Sequence, residues 1–247
     1  RTPLCLAFGA LLHAMEPKQV ASCIESLKGY CYKAYRHVFL AAYEHLALAL
    51  EVQTGYESLQ RVLTPAEAAA AIKSFPDFKF EDPHVLLRML RALGKDEMRH
   101  LMDPNPSSST GWQQFPGSKA VQVPTLPSML DRMNMMELVD ILEAFGQQGL
   151  AGCGAVAQAI VNRYSANGGR ISRRNTARAL FAVAQLGEHE AELVQILISE
   201  IEGWEVQDPH GSSLRPRPAL VSLWSLCALG LLPRAAASVD WLLSFLC

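Results

Sequence analysis

Four stretches of this sequence fall into register when Phe75, Phe145 and Val183 share a column: "AEAAAAIKSFPDFKF", "ELVDILEAFGQQGL", "NTARALFAVAQLGE" and "PALVSLWSLCALGLL". Gly149, Gly187 and Gly230 then align, about 40 residues apart. Each stretch repeats its apolar positions every three or four residues, the spacing of one helix face. Each ends in a turn where a left-handed residue closes a helix at little cost, a role glycine fills in three of the four. A second helical phrase follows in three cases: "EDPHVLLRMLRAL", "EHEAELVQILISEI" and "RAAASVDWLLSFL". Two short helices cannot bury their apolar faces alone. The expected fold is therefore all-α, with helical hairpins stacked as an α-solenoid.

The rest of the chain agrees with a helical reading. Val20, Ile24, Leu27, Cys31, Ala34 and Val38 step along one face. Thr64, Pro65 and Glu67 make a capping box with a first-turn proline, and Asp82-Pro83 opens a further helix in the same way. Residues 1–62 are expected to be an N-terminal helical cap or degenerate unit, 63–102 a helical repeat, and 128–247 further repeats. Residues 103–127, "DPNPSSSTGWQQFPGSKAVQVPTLP", carry too many prolines for a helix. They read as an insertion or linker lying on a partner or back along the repeats. Trp112 and Phe115 are the candidate partner-binding anchors, because aromatic side chains bury much area each.

Composition narrows the function classes. Half of the residues are hydrophobic, 19% are charged and the net charge is −2. No global positive field exists, so contact with nucleic acid needs a local patch. The six cysteines form no C-x-x-C pair and are expected as free, mostly buried thiols. Cys23, Cys31 and His37 match no zinc spacing, and neither a metal nor a cofactor is expected. The most apolar run, "PALVSLWSLCALGLLP", falls short of the ~20 residues of a membrane span. A chain opening on Arg1 rather than Met is expected to be a trimmed or processed one.

The phrase "ISRRNTARALFAVAQLGEHEAELVQILISEI" resembles the degenerate helical repeats that accompany RAP domains in FAST-kinase-like mitochondrial proteins and in organellar proteins of protists. The resemblance covers about residues 63–93 and 133–247. It implies an organellar, RNA-associated and usually non-catalytic protein; similar repeat proteins are built into some protist mitochondrial ribosomes. No strand-rich RAP domain is visible, which points to a scaffold role rather than RNA processing.

Catalytic motifs are scarce. There is no phosphate-binding G-x-x-x-x-G-K-[ST] loop and no G-x-S-x-G elbow. His189-Glu190 begins like a zinc-protease helix, but Leu193 stands where the second histidine belongs. "GLAGCGA" follows a helix rather than a strand and reads as a turn. Trp224 and Trp241 sit at apolar helical positions and are expected in the core. The local patch is "NRYSANGGRISRRNTAR", residues 162–178, with Arg163, Arg170, Arg173, Arg174 and Arg178 and no acidic residue. Arginine makes bidentate phosphate contacts, and Tyr164 has a ring on which a base can stack. Its alternative is a solvated loop. Lys33 and Arg36 with Tyr32 and Tyr35, and Arg215 with Arg217, form smaller basic groups.

The expectation is a non-enzymatic repeat protein of the mitochondrial matrix, contacting ribosomal RNA through the phosphate backbone and neighbouring proteins of a mitochondrial ribosome. The alternative is a protein–protein scaffold or accessory subunit of a respiratory complex or ATP synthase.

Overall fold

The computed structural model describes residues 2–28, 33–53, 63–80, 82–94, 128–187, 191–207 and 216–244. The protein is all-α; no strand occurs among the described residues. The helices are α1 (Thr2–Leu11), α2 (Pro17–Leu27), α3 (Arg36–Gln53), α4 (Pro65–Ser74), α5 (His84–Leu93), α6 (Met129–Arg132), α7 (Met135–Gln148), α8 (Gly154–Ala166), α9 (Arg173–Leu186), α10 (Ala191–Gln207), α11 (Pro216–Ala228) and α12 (Ala236–Ser244). They pack in two rows. In the first row, α2 packs on α4, α4 on α7, α7 on α9 and α9 on α11. In the second, α3 packs on α5, α8 on α10 and α10 on α12. The one-turn α6 sits between α5 and α8: it packs on α8, and Leu130 lies beside Gly94. One apolar core runs between the rows from Cys5 to Leu242.

Local sequence explains where helices start. At α4, the Glu67 N–H donates to Thr64 Oγ1 at 3.2 Å and the Thr64 N–H to Glu67 Oε2 at 2.9 Å. The same reciprocal box opens α2 (Glu16, Gln19), α6 (Ser128, Asp131) and α7 (Asn134, Glu137). Each satisfies N–H groups that have no partner within the helix. Asp82 accepts from the His84 N–H at 2.8 Å, so α5 begins one residue after Pro83. The periodic run from Val20 to Val38 is not one helix. α2 ends at Leu27, Ala34 lies in a 3₁₀ turn (Lys33–Tyr35), and Val38 belongs to α3. Gly29 follows α2 closely in sequence, and glycine is a poor helix-interior residue.

The helix ends carry the repeat. Leu150 N–H donates to the Phe145 carbonyl (3.1 Å) and Leu231 N–H to that of Leu226 (2.8 Å), closing α7 and α11 by the same pattern. At α9 the Gly187 N–H donates to the Val183 carbonyl at 3.1 Å. Gly149, Gly187 and Gly230 have φ of 61°, 65° and 67°. Phe145, Val183 and Leu226 therefore hold equivalent places in three caps, and all three are buried. The fourth stretch differs: α4 ends at Ser74 and runs into a 3₁₀ turn (Phe75–Phe78), and the left-handed residue that ends this turn is a lysine, whose N–H donates to the Pro76 carbonyl at 3.1 Å. Lys79, four residues after the buried Phe75, has φ 49° and is the only non-glycine with positive φ among the described residues.

A lysine there carries a left-handed penalty of ~1 kcal/mol or more that a glycine escapes. Glycine gives back part of this through its larger unfolded-state entropy. Lys79→Gly should therefore stabilise by up to about 1 kcal/mol, whereas Gly149→Ala should destabilise by about 1 kcal/mol. Thermal melts should move in opposite directions, each by roughly 2–4 °C. A loss of stability in Lys79→Gly would show that the lysine side chain contributes more than its backbone costs.

The α3–α4 region is closed by aromatic rings. Phe39, Tyr43, Phe75, Phe78 and Phe80 form a chain of ring contacts with centroids 4.5 to 5.8 Å apart. The buried Tyr43 hydroxyl donates to the Ala71 carbonyl at 2.9 Å, joining the two rows. Of the two tryptophans expected in the core, Trp241 is buried, but Trp224 is 52% exposed. Its apolar helical position faces the outside of the first row. Among the described cysteines, Cys5 and Cys153 are buried, Cys23 is partly buried and Cys227 is exposed.

Candidate nucleic-acid interface

The arginine-rich segment spans the end of α8, a tight turn and the start of α9. Gly168 and Gly169, with φ of 70° and 72°, reverse the chain. The turn is pinned by Glu200 of α10. That carboxylate accepts from the Ile171 N–H at 3.3 Å and is hydrogen-bonded to the Tyr164 hydroxyl. Burial first, and this bond second, hold the Tyr164 phenol above its ordinary pKa. The ring also packs beside Gly169, where an added Cβ would stand 3.5 Å from it. Tyr164 is thus engaged in holding the turn, which competes with the expected role of a free stacking platform.

The five arginines divide into two groups. Arg163 donates to the Asp131 carbonyl. Arg173 donates to the Trp204 carbonyl at 3.3 Å. Arg178 is tied to two carboxylates on α7: its Nε donates to Glu143 Oε2 at 3.0 Å, and Nη2 reaches both Glu143 and Asp140. Burial lowers the Arg178 pKa, but the hydrogen bonds to Glu143 and Asp140 outweigh it, and the net shift is upward. Asp140 also accepts from Lys73 Nζ of α4 at 3.1 Å. An expectation of five guanidiniums with no carboxylate nearby therefore fails at Arg178. Its partners lie some 35 residues away in sequence, across a helix–helix contact. Arg170 and Arg174 are exposed, and no ion pair holds either one among the described residues. They flank Ser172, whose side chain caps α9 by accepting from the Asn175 N–H.

Arg174, Arg178 and Phe181 lie on one stripe of α9, since residues at i, i+4 and i+7 share a helix face. Counted back from the left-handed residue that follows each helix, which for α4 lies beyond a 3₁₀ turn, the corresponding stripe is Ala66, Ala70 and Lys73 on α4. It is Met136, Asp140 and Glu143 on α7, and Arg217, Val221 and Trp224 on α11. Contacts agree with this register between α7 and α9 and between α9 and α11. Arg178 meets Asp140, and Phe181 meets Trp224 with ring centroids 5.1 Å apart. On α4 and α7 the charges cancel, as Lys73 and Arg178 neutralise Asp140 and Glu143. On α9 and α11 the stripe is exposed arginine at one end and aromatic at the other. Trp224 is thus an exposed aromatic that helical spacing alone assigned to the core; its equivalence to Lys73 and Glu143, which are surface residue types, was the signal against that assignment.

Trp112, Phe115 and the whole of 103–127 lie outside the described residues, as do Tyr32, Arg215 and the His189-Glu190 pair. Tyr35 packs against the core, and Arg36 is partly buried. No group of three metal-ligating side chains occurs among the described residues. No described helix is long and apolar enough to cross a membrane. No family model matches this chain, and no curated protein is significantly similar to it.

Proposed function

We propose that this protein is a non-catalytic α-solenoid that contacts RNA through its phosphate backbone, as a structural component of a mitochondrial ribosome in the matrix. The solenoid reading is supported by the two helix rows and by left-handed glycines that end three first-row helices at Gly149, Gly187 and Gly230. The observation that carries the RNA reading is the pair of exposed cations, Arg170 and Arg174, at the start of α9, a helix with no acidic residue in its first turn. A helix N-terminus adds a partial positive charge to theirs, which suits a phosphate. The ribosomal and mitochondrial part rests on the resemblance of residues 171–201 to organellar helical repeats.

Each phosphate contact to single-stranded RNA adds roughly 0.7 to the salt slope of log K. Arg170→Ala with Arg174→Ala should therefore lower that slope by about 1.4 if both are engaged. Adding Arg173→Ala should change it little, since Arg173 is already bonded to the Trp204 carbonyl. The measurement is RNA affinity against salt, with circular dichroism as the folding control. An unchanged slope in a folded double variant would sink the RNA reading.

That outcome would favour the protein–protein scaffold, for which one observation speaks. Helix α1 contains no charged residue and leaves Leu4, Leu6 and Leu11 more than half exposed. Exposed apolar faces of this kind mark contacts with other proteins. The two readings are compatible if the protein sits at an RNA–protein junction.

A further inference from the structure

We infer that Trp224, with Arg174 and Arg217, forms a single-stranded RNA site on the outer face of α9 and α11, in which a base stacks on the indole and the flanking phosphates meet the two arginines. The site deepens the RNA reading above and rests on it.

Trp224 is the starting point. Trp224 is 52% exposed, which leaves part of a large apolar ring accessible to a flat ligand. Phe181 of the neighbouring helix supports it: the rings meet at 5.1 Å with an interplanar angle of 48°. An indole held against Phe181 and half exposed offers a positioned apolar surface to a flat ligand. Every nucleobase has such a face, so stacking of this kind tolerates any sequence.

The cations come from the same two helices. Arg174 and Arg217 hold equivalent positions on α9 and α11, seven residues before Phe181 and Trp224 respectively. The Phe181–Trp224 contact fixes the two helices in parallel register, so the arginines are neighbours as the aromatics are. Packed helix axes lie about 8–10 Å apart. Seven residues of helix span about 10 Å, a gap that the length of an arginine side chain substantially reduces. Both arginines are exposed, and the first turns of α9 and α11 contain no acidic residue. The carboxylates that share this face, Asp140 and Glu143 on α7, are already neutralised by Lys73 and Arg178. What remains exposed beside the indole among the described residues is the two arginines, together with the apolar Leu220 one turn before Trp224 on α11.

An aromatic platform next to unneutralised arginines matches the chemistry of an unpaired nucleotide. A duplex would offer the arginines phosphates but would keep its bases stacked away from Trp224. The preference should therefore be for single strands, with Arg170 extending the positive edge past the start of α9.

The test compares short oligouridine with an abasic ribose-phosphate strand of the same length, binding to the full chain. Trp224→Ala should weaken oligouridine binding by about 5- to 100-fold and leave the abasic strand unaffected. Trp224→Phe, which keeps a ring, should retain most of the affinity, and it guards against a folding defect in the alanine variant. Arg217→Ala should weaken both strands and lower the salt slope by about 0.7. Equal affinity of the wild type for the two strands, or undiminished oligouridine binding by a folded Trp224→Ala, would overturn the stacking site while leaving the phosphate-contact reading intact. Failure of the wild type to bind either strand would overturn both.

Discussion

Replacing Arg178 by alanine should cost about 3 kcal/mol of stability and leave RNA affinity nearly unchanged, the reverse of what a surface phosphate contact would do. Arg178 is largely buried between α7 and α9, and Asp140 beneath it is only 7% exposed. The guanidinium bridges Asp140 and Glu143 at once. Without it, two carboxylates remain in the helix contact with Lys73 as their only nearby described cation, and Lys73 reaches just one of them, from a side chain that is 48% exposed. Removing one partner of a buried pair is expensive because the other charge is left desolvated, typically 3–5 kcal/mol. The surviving Lys73 bond and the partial exposure of Glu143 place this case near the lower end. Arg178→Lys should recover only part of the loss, since an ammonium group cannot form the two-sided fork. Urea unfolding monitored by circular dichroism is the measurement. A loss below about 0.5 kcal/mol would place the network in the class of weak surface ion pairs.

Arg178 also shows where sequence reading runs out. Its helix and the end of that helix at Gly187 were legible, because apolar spacing and glycine caps are local properties. So was the burial of Phe145, Val183 and Leu226. The partners of Arg178 were not, since α7 is brought to it by tertiary packing, and a segment with no acidic residue of its own looked uniformly free. Glu200, which pins the turn from α10, was invisible for the same reason. Lys79 was hidden differently. Scanning for glycine finds left-handed caps in three of the four units, and the fourth keeps the conformation with a residue that gives no such signal. Trp224 was misassigned because helical spacing says which residues share a face, while only the neighbours of that face decide whether it is buried. The register holds part of the missing information: the column of Trp224 also contains Lys73, Glu143 and the partly buried Phe181, so it lies at the edge of the helix contacts and not in the core.

The same register yields a test of how tightly the first row is built. Gly146 on α7 lies against Ala182 on α9, one residue after Phe145 and one before Val183. A Cβ on Gly146 would stand 2.9 Å from the Ala182 Cα and 2.9 Å from its carbonyl oxygen. Those atoms are backbone and cannot rotate aside; α7 and α9 would have to separate. Helix propensity argues the other way, because alanine is better than glycine in a helix interior by about 1 kcal/mol. Overpacking a tight contact costs about 1–3 kcal/mol, and here the contact is with backbone and joins the central helices of the row. Sterics should therefore win, and Gly146→Ala should lose about 2 kcal/mol net, lowering the melting temperature by roughly 4–8 °C. Gly94, at the end of α5, is the internal control. Its added Cβ would meet nothing closer than 3.7 Å and its φ of −85° suits any residue, so Gly94→Ala should be neutral or slightly stabilising. If Gly146→Ala instead proved as stable as the wild type, the close approach of α7 and α9 would be wrong, and with it the arrangement that sets Arg178 over Asp140 and carries the register on to Trp224.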